Sequence, residues 1–559
     1  MKKTIYIIAI GLLILVAAAC SSLDQYPLNG PSSDTYLTDE SELRKALYSA
    51  YNANATYTPS SGNYGTWISL DAATDIAFER NSSGLPSFVA GKANADTGYA
   101  AEIWKMMYAT ICRCNYLLNN MQRAQENVNQ EVYKNIEAQA RVLRAYTYHR
   151  LIEFYGAVPL VTIIPDLKQA IMPRTPKADI INFIFKELDE SVEYLPDQSS
   201  DKGEVTKAVA LGIKARTALY NEKWEIAAEA AKAIMNMGIY SLDDNFSELF
   251  MYAGKNSKEI IWATQYVKAA KKTHATARNF GSRNGKGGSS RVPTQSVVDA
   301  YQCIDGKDID KSALYNPEKP YENRDPRLGY TIALSGSIFM GYRFETHKDS
   351  VECWNYRGEK PVRMKNEDVT NPYATFTGYC WRKYADDPAD WGNPTESEIH
   401  QIMLRYAEIL LIYAEAKIEA NQIDQSVYNA INEVRQRPGV SMPPLPNGLS
   451  QAELRSAVRK ERLYELAGEG LRLFDIRRWR IAEYVLNGPL YGRIPKGLLS
   501  TAPTIDENGI PDYSNVPNRE EMRVVEVRKF NKEDNRDYLW PIPQREITAN
   551  PKLEQNPGY

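Results

Sequence analysis

The sequence of 559 residues has few histidines and none of the short motifs on which most metal and nucleophilic enzyme sites depend. It contains neither an H-E-x-x-H nor a C-x-x-C motif for a metal, and no G-x-S-x-G motif for a catalytic serine. We therefore expect no catalytic residue and no catalytic metal site. The four histidines stand alone in the chain: His149, His274, His347 and His400.

A glycine-rich stretch, G-S-R-N-G-K-G-G, falls short of a phosphate-binding loop. Only three residues separate Gly281 from Gly285, and no serine or threonine follows Lys286. We interpret this stretch as a flexible loop. The 70 acidic residues do offer carboxylate pairs, and a glycosidase needs only two in the right geometry. A surface glycoside hydrolase therefore remains open as a less favoured alternative.

An excess of positive charge is absent as well. The formal net charge is -3, with no basic stripe along the chain, so nucleic acid is not a predicted partner. The chain has instead 37 Tyr and 9 Trp against 13 Phe. Such amphipathic rings suit a large polar contact surface, although a helical core can absorb many of them.

Long apolar runs are missing except at the N-terminus. The run from Ile5 to Ala19 follows two lysines, which is typical of a secretory signal peptide, and the small residues before Cys20 are typical of a bacterial lipoprotein signal. We predict that residues 1–19 are removed and that Cys20 is acylated. No later run reaches the roughly 18 residues of a spanning helix, so we expect this lipid to be the only membrane anchor.

The remaining cysteines are odd in number and irregularly spaced. The chain is too large for a small disulfide scaffold, so we expect buried thiols. Two of them lie two residues apart on a predicted helix and should point to different sides. The five positions are Cys112, Cys114, Cys303, Cys353 and Cys380.

Helical periodicity is strong in two separate parts of the chain, residues 36–240 and residues 398–485. The first part includes a helix with apolar residues at helical spacing from Ile136 to Phe154, and a hairpin of two alanine-lined helices between Val205 and Gly238. The second includes one helix over M-L-R-Y-A-E-I-L-L-I-Y-A-E-A-K and another over A-E-L-R-S-A-V-R-K-E-R-L-Y-E-L-A-G-E-G-L-R-L-F-D-I-R-R-W. Close-packed helix pairs of this kind are typical of tetratricopeptide-type repeats.

Between these parts, residues 241–397 lose helical periodicity and mix polar loops with short strand-like runs such as Ile260–Thr264. So long an irregular segment is seldom idle connection, and we expect the function there. Residues 486–559 end the chain, where L-W-P-I-P should lie against the helices and the last residues should form turns. The predicted fold is mainly α: one domain over residues 20–559, with a tetratricopeptide-type helix-pair scaffold and a long insertion of loops and short strands.

Several segments, in a fixed order along the chain, resemble one family. They include L-D-Q-Y-P behind Cys20, R-A-Y-T-Y-H-R-L-I-E-F-Y-G-A-V-P-L-V, N-R-D-P-R-L, I-N-E-V-R-Q-R-P-G and the ending L-W-P-I-P-Q-R-E-I-T-A-N-P-K-L-E-Q-N-P-G-Y. Together they resemble the SusD/RagB-like nutrient-binding outer-membrane lipoproteins over nearly the whole mature chain. Two features depart from the family: Gly468 stands where an aromatic residue is common, and only one acidic residue, Asp24, closely follows Cys20.

The resemblance implies a binding protein without catalysis or cofactor. Its helix pairs would sit on a SusC-like TonB-dependent transporter in the outer membrane, while loops on the other side hold an oligosaccharide for import. Several acidic residues behind the acylated cysteine mark export to the cell surface in some members, so the single Asp24 leaves the membrane face open. A peptide-binding RagB-type lid, and a structural lid that captures ligand jointly with the transporter, are the alternatives.

The family motifs belong to the scaffold, so candidate ligand residues must come from chemistry. Sugar recognition favours an exposed aromatic ring flanked by hydrogen-bonding side chains. Two regions offer this mixture. The first supplies Tyr64, Trp67, Asp75, Arg80, Asn81 and Tyr99. The second supplies Arg278, Asn279, Phe280, Trp354, Tyr356 and Trp391.

These candidates differ in the alternatives open to them. Trp67 precedes an apparent helix and is equally well explained as a core anchor, and Asp75 as a helix or turn residue. Tyr99 follows a glycine, which suggests an exposed loop, and Trp354 lies among polar residues and is the best single candidate. Three charged residues of the late helix are interpreted as charge pairs along one helix face rather than as a catalytic group: Glu469, Arg472 and Asp475.

Overall fold

The computed structural model describes residues 36–54, 67–80 and 84–559, and helices supply most of the regular structure in these ranges. In chain order they are α1 (Glu40–Asn54), α2 (Leu85–Val89), α3 (Gly98–Asn120), α4 (Gln130–Tyr155), α5 (Lys177–Ser191), α6 (Lys207–Tyr220), α7 (Trp224–Met237), α8 (Thr276–Phe280), α9 (Gln295–Ala300), α10 (Pro326–Thr331), α11 (Glu367–Thr370), α12 (Tyr406–Glu419), α13 (Gln425–Arg435), α14 (Gln451–Leu466), α15 (Arg472–Arg478), α16 (Ala482–Val485) and α17 (Gln544–Ala549).

The strands are short, and all their pairings are antiparallel. In the described ranges, β5 to β8 form one four-stranded sheet in sequence order, and the other strands pair as β1 with β3, β2 with β10, β4 with β9, β11 with β14 and β12 with β13. Their bounds are β1 (Ala77–Glu79), β2 (Ile260–Thr264), β3 (Arg291–Pro293), β4 (Ile332–Ala333), β5 (Ile338–Phe339), β6 (Tyr342–Arg343), β7 (Glu352–Asn355), β8 (Val362–Lys365), β9 (Cys380–Trp381), β10 (Gln401–Arg405), β11 (Gly488–Tyr491), β12 (Thr504–Ile505), β13 (Pro511–Asp512) and β14 (Val524–Arg528).

The long helices pack pairwise into the predicted scaffold. Helices α6 and α7 pack against each other across a three-residue turn, and α12 packs on α7. A Cβ on Gly212 of α6 would lie 2.2 Å from Leu404 Cδ2, so the glycine lets α6 approach β10 closely. Helix α7 ends at Gly238 in the left-handed region, at φ 66°. The predicted mainly α fold with helix pairs is confirmed.

The segment predicted as one late helix is two helices. Helix α14 ends at Leu466 and α15 begins at Arg472, and between them Gly468 and Gly470 have φ of 84° and 79°. A Cβ on Gly470 would lie 1.9 Å from the carbonyl oxygen of Trp67, so a side chain does not fit there. The prediction of a continuous helix was wrong because this turn passes directly over another segment.

The three charged residues around this turn bind mostly across the fold, which corrects the interpretation that they pair along one helix face. Only one of their contacts lies within α15, between Asp475 and Arg478 at 2.8 Å. The other ion pairs join distant segments: Glu469 with Arg405 and Lys383, Arg472 with Asp75, and Asp475 with Arg462.

Apolar side chains form two large cores. The first fills the helix scaffold and includes the closing segment, where Trp540 stacks on Phe88 and Phe154 with ring centroids 4.4 and 4.1 Å apart. The segment L-W-P-I-P therefore lies against the helices as expected, although the following residues form α17 as well as turns. The second core lies mainly beneath residues 241–397 and includes Phe280 and Trp381.

A buried network of charges lies at the junction of these parts. Arg405 at the end of β10 contacts Glu259 at 2.7 Å and Glu465 of α14 at 2.6 Å, and Arg327 of α10 contacts Glu465 at 3.0 Å. We call this set the arginine network: Arg327, Arg405 and Arg437 with Glu259, Asp325, Glu461, Glu465 and Glu469. All eight side chains are buried.

Candidate functional site

The candidates near the N-terminus are mostly part of the main core. The ring of Trp67 stacks on Phe154 at 6.3 Å, with the Arg150 guanidinium over it at 4.5 Å, so the core-anchor alternative describes its position. Asp75 is buried in its ion pair with Arg472. Tyr64 and Asn81 lie outside the described residues.

Tyr99 does not lie in an exposed loop. It belongs to the first turn of α3, is only 2% exposed and meets Trp540 edge-on at 5.9 Å. The expectation from its neighbour Gly98 was wrong because the helix begins at that glycine. Burial leaves Trp67, Asp75 and Tyr99 without a surface to offer a ligand, so they are not part of the candidate site.

The glycine-rich loop after α8 is packed rather than free. Gly287 N donates to the Ser282 carbonyl at 2.6 Å and Ser290 N to the Asn279 carbonyl at 2.9 Å. A Cβ on Gly287 would lie 2.1 Å from the Gly281 carbonyl oxygen, so the loop folds back on itself where only glycine fits. The interpretation of this stretch as a flexible loop was therefore wrong. Residues 281–290 form a hydrogen-bonded loop, which we call the platform. Phe280 lies beneath it in the second core.

Three predicted residues come together at this platform. The guanidinium of Arg80 donates to the Gly288 carbonyl at 3.0 Å, and that of Arg278 donates to the Lys286 carbonyl at 2.6 Å. Asn279 is buried, and its Oδ1 accepts from Ser290 Oγ. Arg80 and Arg278 remain partly exposed, whereas Asn279 holds the loop.

An exposed tyrosine that the sequence analysis missed stands over this platform. Tyr373, 60% exposed, receives hydrogen bonds at its carbonyl oxygen from the guanidinium of Arg80 and from Arg283 Nε. The Arg80 guanidinium also lies 5.3 Å from the centre of its ring, and Arg283 lies 6.0 Å away. The one signal available in the sequence was the N-P-Y turn at positions 371–373.

The ring of Phe376, half-buried, continues this surface. Arg80 lies 5.6 Å from the centre of the ring and Arg523 lies 4.3 Å from it, while Phe78 stacks on it at 6.1 Å. We call this set the Tyr373 face: Arg80, Arg278, Arg283, Tyr373, Phe376 and Arg523.

A cavity of about 270 Å³ adjoins the Tyr373 face. Its wall includes Phe376 and Arg523, which belong to the face, together with Lys348 and Arg493. The remaining lining residues are Thr346, Asp368, Val369, Thr370, Asn371, Pro372, Ala374, Thr375, Thr377, Gly378 and Pro495. The mixture of ring, hydroxyl, amide and cationic groups suits a polar ligand with a flat apolar surface.

Burial changes the pKa values of the charged groups at and below the Tyr373 face. Partial burial, followed by the nearby Arg283, lowers the pKa of Arg80, and partial burial followed by Arg278 lowers the pKa of Arg283. Burial also lowers the pKa of Arg523. Asp368 is fully buried, which raises the pKa of its carboxyl to about 6. The guanidinium groups of Arg80 and Arg283 are therefore partly desolvated and lie beside another arginine, whereas that of Arg523 is partly desolvated only.

The other candidates of the irregular region lie on the four-stranded sheet or beside it. Trp354 of β7 is 39% exposed and stands opposite Arg363 of β8, whose guanidinium lies 5.3 Å from the centre of its ring. Trp391 and Tyr356 are half-buried around Arg357, which lies 5.2 Å from the Trp391 ring centre. Trp354 is thus an exposed ring, and Trp391 is partly engaged in packing.

Three further properties bear on chemistry and location. The described ranges contain no group of three or more His, Cys, Asp and Glu side chains able to hold a metal ion. Four of the five described cysteines are buried free thiols, and Cys112 is exposed while Cys114 is buried, as their spacing predicted. In the same ranges, no helix combines the length and apolar character needed to cross a membrane.

Known proteins similar to this chain agree with the motif resemblance. A SusD-like carbohydrate binding protein from Bacteroides fragilis has the same fold, with a TM-score of 0.79 and 30% identity over 93% of this chain and 100% of that chain. A SusD-like protein described as laminarin binding has a TM-score of 0.63 at 19% identity, over 93% of this chain and 100% of that chain, which shows the fold alone. SusD-like protein P2 of Formosa agariphila is 26% identical over the full length of both chains.

Two family models match the sequence. Residues 29–219 match a family described as starch-binding and associating with the outer membrane. Residues 258–559, more than half of the chain, match the SusD family. The chain therefore belongs to the SusD family, as its motifs indicated.

Proposed function

We propose that this protein is an outer-membrane lipoprotein that binds an oligosaccharide and delivers it to a TonB-dependent transporter. Its family membership and the carbohydrate binding named for the Bacteroides fragilis relative support this function. The observation that carries the proposal is the exposed ring of Tyr373, held by two arginines beside a cavity.

The Tyr373 face has the parts that sugar recognition requires. Pyranose rings have flat C–H faces with hydroxyl groups at their edges, so they stack on an aromatic ring and hydrogen-bond around it. The backbone carbonyl of Tyr373 is fixed by Arg80 and Arg283, and the residue is 60% exposed even with these two guanidinium groups beside its ring. Asn371 and Thr370 line the adjoining cavity and can donate or accept at sugar hydroxyls.

The test is calorimetric titration of the purified mature protein with a panel of plant, algal and host oligosaccharides. Tyr373→Ala should weaken binding of the best ligand about tenfold, which corresponds to about 1.4 kcal/mol for the loss of one stacked ring. Tyr484→Ala is the matched control, because Tyr484 is 72% exposed on α16 and lies outside the Tyr373 face. Unchanged affinity in Tyr373→Ala would remove this face from the proposal.

The exposed ring of Trp354 is a second candidate binding position, which the same titrations can test. Its ring is exposed on the hairpin of β7 and β8, with the Arg363 guanidinium over it, and an exposed ring beside a cation suits a second sugar unit or a separate site. Loss of binding in Trp354→Ala and not in Tyr373→Ala would move the site to the hairpin. A fall in both variants would extend one site across the two rings.

The lipid anchor and the partner are tested separately. Cys20→Ala should release the protein from the membrane fraction, and retention there would contradict acylation of Cys20. Copurification of the acylated protein with a large outer-membrane barrel is the expected result for a transporter lid. Robust copurification with no binding of any saccharide by the isolated protein would favour joint capture of the ligand, and binding of peptides alone would favour a peptide-binding lid.

A further inference from the structure

The cations of the Tyr373 face and its cavity lack carboxylate partners. Within the ranges that the structure describes, none of them takes part in an ion pair within 4 Å, although the chain forms many such pairs elsewhere. The six residues are Arg80, Arg278, Arg283, Lys348, Arg493 and Arg523. They come from five separate segments of the chain, so their grouping is a product of the fold and not of a local charge run.

The acidic residues nearby are already engaged. Asp368 accepts from the Arg283 backbone N–H at 2.6 Å and from Asn284 Nδ2 at 2.7 Å, and it is buried below the surface. Glu367 pairs with Lys365 at 3.0 Å. Neither carboxylate forms an ion pair within 4 Å with an arginine side chain of the face, and the four arginines of the face outnumber these two carboxylates, so the face presents net positive charge.

The guanidinium groups are held in place by carbonyl oxygens instead. Arg283 uses Nε for the Tyr373 carbonyl at 2.8 Å, and Arg278 uses Nη1 for the Lys286 carbonyl at 2.6 Å. A guanidinium has five N–H donors, so both retain donors for a ligand. A positioned arginine binds a carboxylate or a sulfate through two parallel hydrogen bonds, and its fixed position reduces the entropy lost on binding.

From these contacts we propose that the saccharide bound at the Tyr373 face is anionic and carries carboxylate or sulfate groups. This inference rests on the proposed function, since it names the class of glycan that the same site takes. A sugar ring stacks on Tyr373, and the anionic substituents of that unit or its neighbours pair with Arg80, Arg283 and Arg523. A neutral glucan would leave these cations uncompensated and would use only the ring.

The experiment compares matched anionic and neutral saccharides. Oligogalacturonate is titrated beside its fully methyl-esterified form, and carrageenan oligosaccharides beside their desulfated form, with the mature wild-type protein at low and at moderate salt. We expect at least tenfold tighter binding of one anionic member than of its neutral partner, and weaker binding as salt rises. Comparing the two pairs distinguishes a carboxylate ligand from a sulfate ligand.

Two variants then assign the preference to the face. Arg283→Gln and Arg523→Gln should each reduce the affinity for the preferred anionic saccharide about tenfold and reduce the affinity for its neutral partner by a clearly smaller factor, because both residues also support the Tyr373 face. Arg545→Gln is the matched control, because Arg545 is exposed on α17 and belongs neither to the Tyr373 face nor to the wall of its cavity. Thermal unfolding of each variant checks that the fold is retained.

The outcomes separate the inference from the proposed function. Tight binding of neutral saccharides that Tyr373→Ala abolishes and the arginine variants do not affect would overturn the anionic preference and leave glycan binding standing. Failure of every saccharide, charged or neutral, would overturn both. An oligoglutamate peptide is included as a third probe, and equal binding of that peptide would replace the saccharide by an acidic peptide.

Discussion

Two groups of arginines in this chain differ in what surrounds them. In the arginine network, Arg405 touches three carboxylates and Arg327 touches three, and both side chains are at most 1% exposed. On the Tyr373 face, Arg80, Arg283 and Arg523 are partly exposed and touch carbonyl oxygens or aromatic rings. Arginine is thus a buried, ion-paired residue that joins segments in the arginine network, and a partly exposed residue without an ion pair on the Tyr373 face.

The difference follows from the cost of removing charge from water. A buried guanidinium without a counter-ion would be strongly destabilising, so burial in this fold goes together with multiple carboxylates. Burial alone would raise the pKa of Glu465, but Arg437, Arg405 and Arg327 outweigh it and hold that pKa well below its usual range. At the Tyr373 face water supplies the missing compensation, and an anionic ligand can replace that water.

The largest expected effect comes from breaking the arginine network. Glu465→Gln removes the charge that faces Arg327, Arg405 and Arg437 and leaves these buried cations short of a counter-ion. We expect the free energy of unfolding in urea to fall by about 3–5 kcal/mol. Glu546→Gln is the control, since Glu546 lies on the small helix α17, and it should change stability by less than about 0.5 kcal/mol.

A loss below about 1 kcal/mol in Glu465→Gln would mean that the network is dispensable for the fold. The comparison between the two arginine groups would then lose its basis, because burial and pairing would not distinguish a structural cation from a binding one.

Local patterns predicted the scaffold well. The strand-like run Ile260–Thr264 is β2 with the same bounds, and the apolar residues spaced from Ile136 to Phe154 are buried in α4, as are most other residues of that stretch. These features depend on near neighbours in the chain and on which residues are apolar. The family motifs, which occur in a fixed order along the chain, predicted how these elements follow one another in the fold.

The Tyr373 face was only half predicted, because it depends on contacts between distant segments. Arg80 and Tyr373 are 293 residues apart. The pairing of β1 with β3 brings Arg80 to the glycine-rich loop, and Arg283 of that loop binds the Tyr373 carbonyl. Trp67 and Tyr99 are amphipathic rings just as Tyr373 is, and no local pattern tells which ring the fold will bury. The turn at Gly470 was missed for the same reason.

Asp71 lies between the two arginine groups in how well its charge is compensated. It is a buried carboxylate that is bound by backbone N–H groups and not by a cation. Its Oδ2 accepts from Gly468 N at 2.9 Å and Gly470 N at 3.1 Å, and burial outweighs these bonds and raises its pKa to about 7. The folded protein therefore holds this proton more tightly than the unfolded chain. The resulting stability is complete below about pH 4 and is lost as the pH rises through 7.

Replacing this carboxyl by an amide should remove that dependence on pH. Relative to wild type, Asp71→Asn should gain on the order of 1–3 kcal/mol of stability between pH 4.5 and pH 7.5, measured by urea unfolding at each pH. Asp244→Asn, at an exposed position, should show no such trend. If the free energies of unfolding of Asp71→Asn and wild type changed with pH in parallel, the pKa of Asp71 would not be raised. Backbone N–H donors would then stabilise the buried carboxylate as fully as arginines do.

The smallest expected effect is on the stability of the open arginine group. Arg523 lies over the Phe376 ring without an ion pair in the described ranges, and the residue is partly exposed. We expect Arg523→Gln to change the free energy of unfolding by less than about 1 kcal/mol, the size of one partly exposed cation–π contact. A loss of several kcal/mol would make Arg523 a structural residue like Arg405. A small loss, together with weaker binding of an anionic saccharide, would separate stability from recognition at this face.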